Sequence, residues 1–334
     1  MRLHLNENTA GCSPAVLETL RRLGRSDAGF YPDYDAARAA VARHFRVQDD
    51  NVLLTNGLDE GILAAIGAAF RERSINVPET LGVMPAFDMY EVLTTALGGR
   101  MVTLPLGRDF AFDPKAFAAA RTPATRIAFL ANPHNPSGRF EPIHTFLEIA
   151  LAIAPVILFL DEAYADFCAE SAIDAGILSS HPNLIIGRTF SKAYGLAGLR
   201  AGAVIGRSES LDPLRKVVPP YSLNAWATAA LPAALKDDDY RAWYCAQAAT
   251  SRAMIAATCA TLGLETWPSV ANFALVRVGP SATDVVRELA ARGVTVRDRS
   301  KEPGCEGCIR ITAGVVEETR RAVAALTEVI CAGR

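Results

Sequence analysis

The chain of 334 residues is 50% hydrophobic and 21% charged, with 24 glycines and 19 prolines, a composition that excludes fibrous, collagenous and disordered proteins. Its net charge of −2, from 34 Lys and Arg against 36 Asp and Glu without a run of five like charges, argues against a nucleic-acid or anionic-membrane surface and for a small-molecule partner. No apolar stretch approaches the roughly 20 residues of a membrane span, and Met1 leads into polar Asn6-Glu7-Asn8 with neither a basic nor an apolar leader, so a cytoplasmic location is expected.

In chain order, short apolar, β-branched runs alternate with segments of helical period between Asn51 and Ile205. Strands are expected at 52–55, 75–77, 101–104, 127–130, 156–160, 184–187 and 201–205. Between them, 59–72 carries Ile62, Leu63, Ile66 and Phe70 on one helical face, and 143–154 reads as a second helix. This alternation predicts an α/β fold with a mostly parallel seven-stranded sheet covered by helices and right-handed crossovers.

The C-terminal part changes character. A long Ala-rich helix over 238–262 precedes strands at 273–278, 294–296 and 309–312, the pattern of a small α+β domain. The polar step Lys236-Asp237-Asp238-Asp239 marks the boundary, so a large domain over 29–237 is expected, with a small domain built from 1–28 and 238–334. Two domains also suit a chain of this length.

Seven scattered cysteines, an odd number, do not make a disulfide framework. Cys305 and Cys308 form a lone C-x-x-C without a second pair or a paired His, so they read as structural thiols and no metal is expected.

Four polar clusters follow expected strands, where open α/β sheets gather their ligands. They are Asn56-Gly57-Leu58-Asp59-Glu60, the Asn132 to Gly138 loop, Asp161-Glu162-Ala163-Tyr164, and Thr189-Phe190-Ser191-Lys192. One site could use all four. Lys192, followed by a run of small residues and Arg200, is the sharpest candidate, although a lysine after a strand taken alone is more often a solvated charge.

These clusters do not stand alone. With Leu5-Asn6-Glu7-Asn8, Tyr31-Pro32-Asp33, Pro85-Ala86-Phe87 and Tyr90, Pro220 to Asn224, Ala271-Asn272-Phe273, Val296-Arg297 and Cys308 to Thr312, the chain resembles, over nearly its whole length, the fold type I pyridoxal-phosphate aminotransferases of class I/II, and among them the histidinol-phosphate aminotransferase branch. The resemblance implies pyridoxal 5'-phosphate as cofactor and a homodimer with shared active sites. It also implies transfer of an amino group between L-histidinol phosphate, or a related amino acid, and 2-oxoglutarate by a ping-pong cycle. An aromatic or other amino-acid aminotransferase, or a decarboxylase of the threonine-phosphate type, uses the same scaffold. A non-catalytic protein of this fold would have no reason to keep Lys192, Asp161, Asn135, Tyr164 and Arg200 together.

The same resemblance assigns roles. Lys192 would link to the cofactor aldehyde and later act as the base at the substrate Cα. Asp161 would pair with the pyridine nitrogen, and Asn135 and Tyr164 would bind the ring oxygen. Backbone groups of Gly57, Leu58 and Asp59, with Thr189, Ser191 and Arg200, would hold the cofactor phosphate. Phe87 would stack on the ring, and Tyr31 would reach the phosphate in the neighbouring subunit. Arg310, Arg297 and Asn135 would bind the anionic end of the substrate.

Each has a plainer alternative: a helix cap for Asp161, a turn for Asn135 and Gly57, core packing for Tyr164 and Phe87, and surface charge for Arg297 and Arg310. Two departures stand out. Asn6-Glu7-Asn8-Thr9-Ala10-Gly11 lacks the Pro-Tyr of many relatives, and His134 and Ser137 replace the commonest residues of the Asn-Pro-x-Asn-Pro-Thr-Gly loop.

Overall fold

The computed structural model describes residues 1–71, 77–168 and 170–332. Arg2–Leu3 forms β1, and the runs read as strands become β2 (Val52–Asn56), β4 (Arg100–Pro105), β5 (Thr125–Ala131), β6 (Ile157–Asp161), β7 (Leu184–Thr189) and β8 (Ala201–Gly206), with β3 at Glu79–Met84. The seven-stranded sheet has the order β2-β8-β7-β6-β5-β3-β4, and only β8 runs antiparallel to its neighbours.

β3 is a correction to the sequence reading. The strand expected at 75–77 falls mainly outside the described residues, and the run that pairs with both β4 and β5 begins at Glu79, a residue that argues against a buried strand. Tertiary partners make it tolerable. Its carboxylate, buried in the fold, accepts from the Thr122 hydroxyl and from Arg100 of β4, which together hold it below the usual glutamate range.

The central strands read as unbroken apolar runs because both faces of the sheet are covered. In β6, Leu158 and Leu160 pack with Phe146, Ile149 and Ile153 of the helix Ile143–Ile153, while the intervening Phe159 points to the other face. There it meets Ile62 and Ile66 of the helix Gly57–Ala69. Complete burial of each such side chain stabilises the fold by about 1.5–3 kcal/mol.

After the helix Ala225–Lys236 the chain breaks at Asp237, whose carboxylate accepts from the Tyr240 N–H at 3.2 Å and caps the long helix Asp238–Thr261. A five-stranded sheet follows, with β9 (Glu265–Thr266), β10 (Phe273–Arg277), β11 (Thr295–Asp298) and β12 (Cys308–Thr312) in the order β1-β11-β12-β10-β9. Its helical side buries Ile309 and Ile311 with Val323 and Leu326 of the helix Val316–Ala332. Strand alternation therefore turns Arg310 the other way, toward the large sheet. Arg297 lies directly opposite Arg310 in the β11–β12 register, so both arginines share that face.

The N-terminal segment divides. Leu3 joins β11 and the small core, whereas Val16 of the helix Pro14–Arg21 packs with Leu54, Ala227 and Leu231 against the large sheet.

Candidate active site

The parallel strands β2, β5, β6 and β7 all end on the side facing the small sheet, and the polar clusters that follow them open on one cavity of about 600 Å³. Asp161, Tyr164, Asn135, Lys192, Ser191 and Thr189 line it from the strand ends. Leu58, Asp59, Phe87 and Arg200 close the same wall, and Arg297 and Arg310 face them from the small sheet. Gly57 sits behind Arg200 and opens the helix that Leu58 and Asp59 continue.

Asp161 is the final residue of β6 and lies buried. The Tyr90 hydroxyl donates to Oδ2 at 2.6 Å, and the Ala163 N–H donates to Oδ1 at 2.9 Å. Burial pushes the carboxyl up to about 6; the two bonds and the Lys192 charge oppose that rise without cancelling it. A cationic partner in the cavity would relieve the penalty. Tyr90, a buried phenol raised well above its ordinary value by its own desolvation and by the adjacent Asp161, remains a donor. Its ring stacks on Phe129 at 4.7 Å and meets Phe87 edge-on at 5.6 Å, which fixes the angle of both hydroxyl and Phe87. Tyr90 appeared in the sequence only as part of a motif; its hydrogen bond to Asp161, 71 residues away, needed the fold.

The loop that presents Asn135 is locked by His134. Burial pushes this imidazole down to about 4, so it is neutral at physiological pH. Nε2 lies 3.0 Å from the Pro85 carbonyl, which can only accept, so Nε2 carries the proton. Nδ1 then accepts from the Ser137 hydroxyl at 2.8 Å. The two replacements in the loop thus satisfy each other. Asn135 Oδ1 in turn accepts from Arg310 Nη1 at 2.5 Å, joining the strand-end loop to the small sheet.

One corner of the cavity is built for an anion. Gly57 has φ +74°, and a Cβ there would lie 2.3 Å from Nη2 of Arg200, so glycine is required for the guanidinium to approach the helix N-terminus. No side chain caps that helix. Arg200 is held by Asp59 at 3.0 Å. The Ser191 Oγ is buried without a hydrogen-bond partner, a condition that an incoming acceptor or donor would correct. A phosphate satisfies all of these groups together, so the corner fits the cofactor implied by the resemblance.

Lys192 donates from Nζ to the Leu5 carbonyl at 2.8 Å, and the Tyr164 hydroxyl accepts from Asn6 Nδ2 at 2.9 Å, so the N-terminal segment roofs the cavity. Arg310 is buried over the Phe273 ring at 5.3 Å and donates to the His4 carbonyl at 2.9 Å. Desolvation lowers its guanidinium to about 10, and its Nε has no partner, which leaves a donor for an anionic ligand. Arg297 is more open and lies 3.4 Å from Asp88.

His4, Asp88 and buried Arg299 also line the cavity. None carried a local signal, since β1 pairing delivers His4 and the packing of the small sheet on the Phe87 loop delivers Arg299. Tyr31 is the exception among the expected site residues. Its side chain is 79% exposed, stacks on Tyr221 at 4.4 Å and lines a separate groove with Pro32 and Arg215, so it does not reach the cavity of its own chain.

The sequence model of the family described as aminotransferase class I and II matches residues 1–326. The chain is 36% identical over 336 residues to a histidinol-phosphate aminotransferase of Nitratidesulfovibrio vulgaris, covering 99% of this chain and 88% of that protein. It is also 36% identical to histidinol-phosphate aminotransferase 1 of Thiobacillus denitrificans, over 99% of this chain and 86% of the relative. Among solved structures, histidinol-phosphate aminotransferase of Sinorhizobium meliloti in complex with pyridoxal-5'-phosphate superposes with a TM-score of 0.86 at 30% identity, covering 100% of this chain and 91% of that one.

Proposed function

Because the chain belongs to the class I and II aminotransferase family and is a pyridoxal-phosphate-dependent aminotransferase, we propose that it exchanges an amino group between L-histidinol phosphate, or a closely related amino donor, and 2-oxoglutarate by a ping-pong cycle. The observation that carries this reading is the convergence of Lys192, buried Asp161 and the Asn135–Arg310 pair on one cavity. When bound, pyridoxal phosphate supplies an aldehyde that takes up the amino group and a ring that accepts charge from the substrate Cα.

The protein's own groups divide the remaining work. Ser191, Thr189, Arg200 and the N-terminus of the Gly57–Ala69 helix would hold the phosphate, and Phe87 would offer its ring to the cofactor. Asp161, whose ionised form is disfavoured by burial, would favour a proton on the ring nitrogen and regain its own charge beside it. Tyr164 and Asn135 would bind the ring oxygen. Lys192 would take up the aldehyde and move the proton at the substrate Cα. Arg310 and Arg297 hold the donor's anionic group, and the roof formed by Leu5 and Asn6 keeps water from the reacting atoms.

Tyr31 belongs to the second subunit's site in this reading, which is why it is exposed in one chain, and the enzyme works as a homodimer. The test is an absorbance titration with pyridoxal phosphate followed by histidinol phosphate, L-glutamate, phenylalanine and threonine phosphate in turn. Conversion of the loaded enzyme to its pyridoxamine form by histidinol phosphate, reversed by 2-oxoglutarate, is expected. Carbon dioxide release from threonine phosphate without that conversion would replace the reading with a decarboxylase, and Lys192→Ala must abolish the visible band and turnover together.

A further inference from the structure

Asp88 follows Phe87 and occupies the position before the helix Met89–Ala96, where an aspartate ordinarily caps the first turn. Here it makes no side-chain cap. Its carboxylate instead faces the small sheet across the cavity, with Oδ2 at 3.4 Å from Arg297 Nη2 and Oδ1 at 3.9 Å from Arg299 Nη1. These contacts are long and the Asp88 side chain is 52% exposed, so the pairs are loosely held. Arg299 is otherwise occupied by Glu302 and by the Ala86 carbonyl at 3.2 Å, whereas Arg297 has Asp88 as its ion-pair partner.

The charge balance follows directly. Arg297, Arg299 and Arg310 line this end of the cavity with Asp88, while Glu302 lies behind Arg299 and its burial pushes the carboxyl up to about 7, so the end carries a positive excess that Asp88 reduces by one charge. Removing Asp88 would raise that excess by one charge, a change that favours a dianion over a ligand of lower negative charge.

We propose that Asp88 is a specificity-determining residue: it is the resident counter-ion of Arg297, displaced when the anionic group of the donor binds, and it restrains the enzyme's preference for dianionic phosphoryl donors over donors of lower negative charge. The inference rests on the donor end lying at Arg297 and Arg310, as in the proposed function. Asp88 acts through Arg297 and is not a catalytic residue.

The experiment compares kcat/KM for L-histidinol phosphate and L-histidinol in wild type, Asp88→Asn and Asp88→Ser, and repeats the comparison in an Arg297→Gln background. Asp88→Asn is expected to raise the phosphorylated-to-unphosphorylated ratio by about 2- to 5-fold, as loss of a half-exposed charge pair permits, and Arg297→Gln is expected to erase that gain. An unchanged ratio, or an equal loss for both donors, overturns the proposal. A parallel calorimetric titration of the pyridoxal-phosphate-loaded enzyme with inorganic phosphate and with acetate needs no turnover. Asp88→Asn must bind phosphate more tightly while acetate changes less. If wild type turns over neither donor, the assigned reaction fails, and the phosphate titration alone then decides Asp88.

Discussion

Asp161→Asn separates the electrostatic cost of the site from its use. A carboxyl that titrates at about 6 instead of its ordinary 3.8 binds its proton more tightly in the folded protein than in the unfolded chain. The fold is therefore penalised where the carboxyl is ionised: the penalty is nearly absent below 3.8, grows as pH rises toward 6 and is complete above it. At about 1.36 kcal/mol for each pH unit, the penalty reaches about 3 kcal/mol at pH 8 and falls below about 1 kcal/mol at pH 4. An asparagine can keep the Ala163 bond through Oδ1, but it takes the acceptor away from the buried Tyr90 hydroxyl, a loss of about 1 kcal/mol.

Protein prepared without pyridoxal phosphate should accordingly be about 2 kcal/mol more stable at pH 8 as Asp161→Asn, a rise of a few degrees in Tm at about 2 °C per kcal/mol, with no gain at pH 4. The same variant should bind pyridoxal phosphate more weakly and lose most turnover. Thermal unfolding of both proteins at pH 4 and 8 is the assay. A destabilisation of equal size at the two pH values would refute the reasoning, because it would mean that Asp161 is ionised and satisfied in the fold.

Gly57→Ala must place a Cβ against Arg200 in a left-handed conformation, strained by about 1–2 kcal/mol; pyridoxal-phosphate affinity, read by fluorescence titration, should fall at least about tenfold. Arg188→Met removes the cation that pairs with buried Glu162 at 3.1 Å and Asp166 at 2.8 Å, and denaturant unfolding should show a loss of about 3–5 kcal/mol. A loss below about 1 kcal/mol would mean that the network carries no net charge coupling. Tyr31→Ala removes the stack on Tyr221 at 4.4 Å and should cost about 0.5–1.5 kcal/mol in thermal unfolding without loss of the fold. If Tyr31 acts across the dimer, mixing Tyr31→Ala with inactive Lys192→Ala subunits should restore about a quarter of wild-type activity through hybrids that hold one complete site. No restoration would remove Tyr31 from the site.

The sequence by itself determined the alternation of strands and helices, because a buried parallel strand must be apolar on both faces and its helix must carry one apolar stripe; β6 and the helix Ile143–Ile153 show both patterns locally. It also put Asn135, Asp161 and Lys192 just beyond strand ends, since polar residues following an apolar run mark the rim of such a sheet. What stayed hidden depended on partners far along the chain. Strand β3 begins with a glutamate that only Arg100 and Thr122 make acceptable. Arg297 and Arg310 face one cavity because the register aligns β11 with β12, and His4 arrives there only through the pairing of β1. Asp88 carried no signal in the sequence, and its carboxylate meets two arginines only where the small sheet packs over the Phe87 loop. Local periodicity reports which face a residue shows; which opposite charge stands there is settled only when distant segments meet.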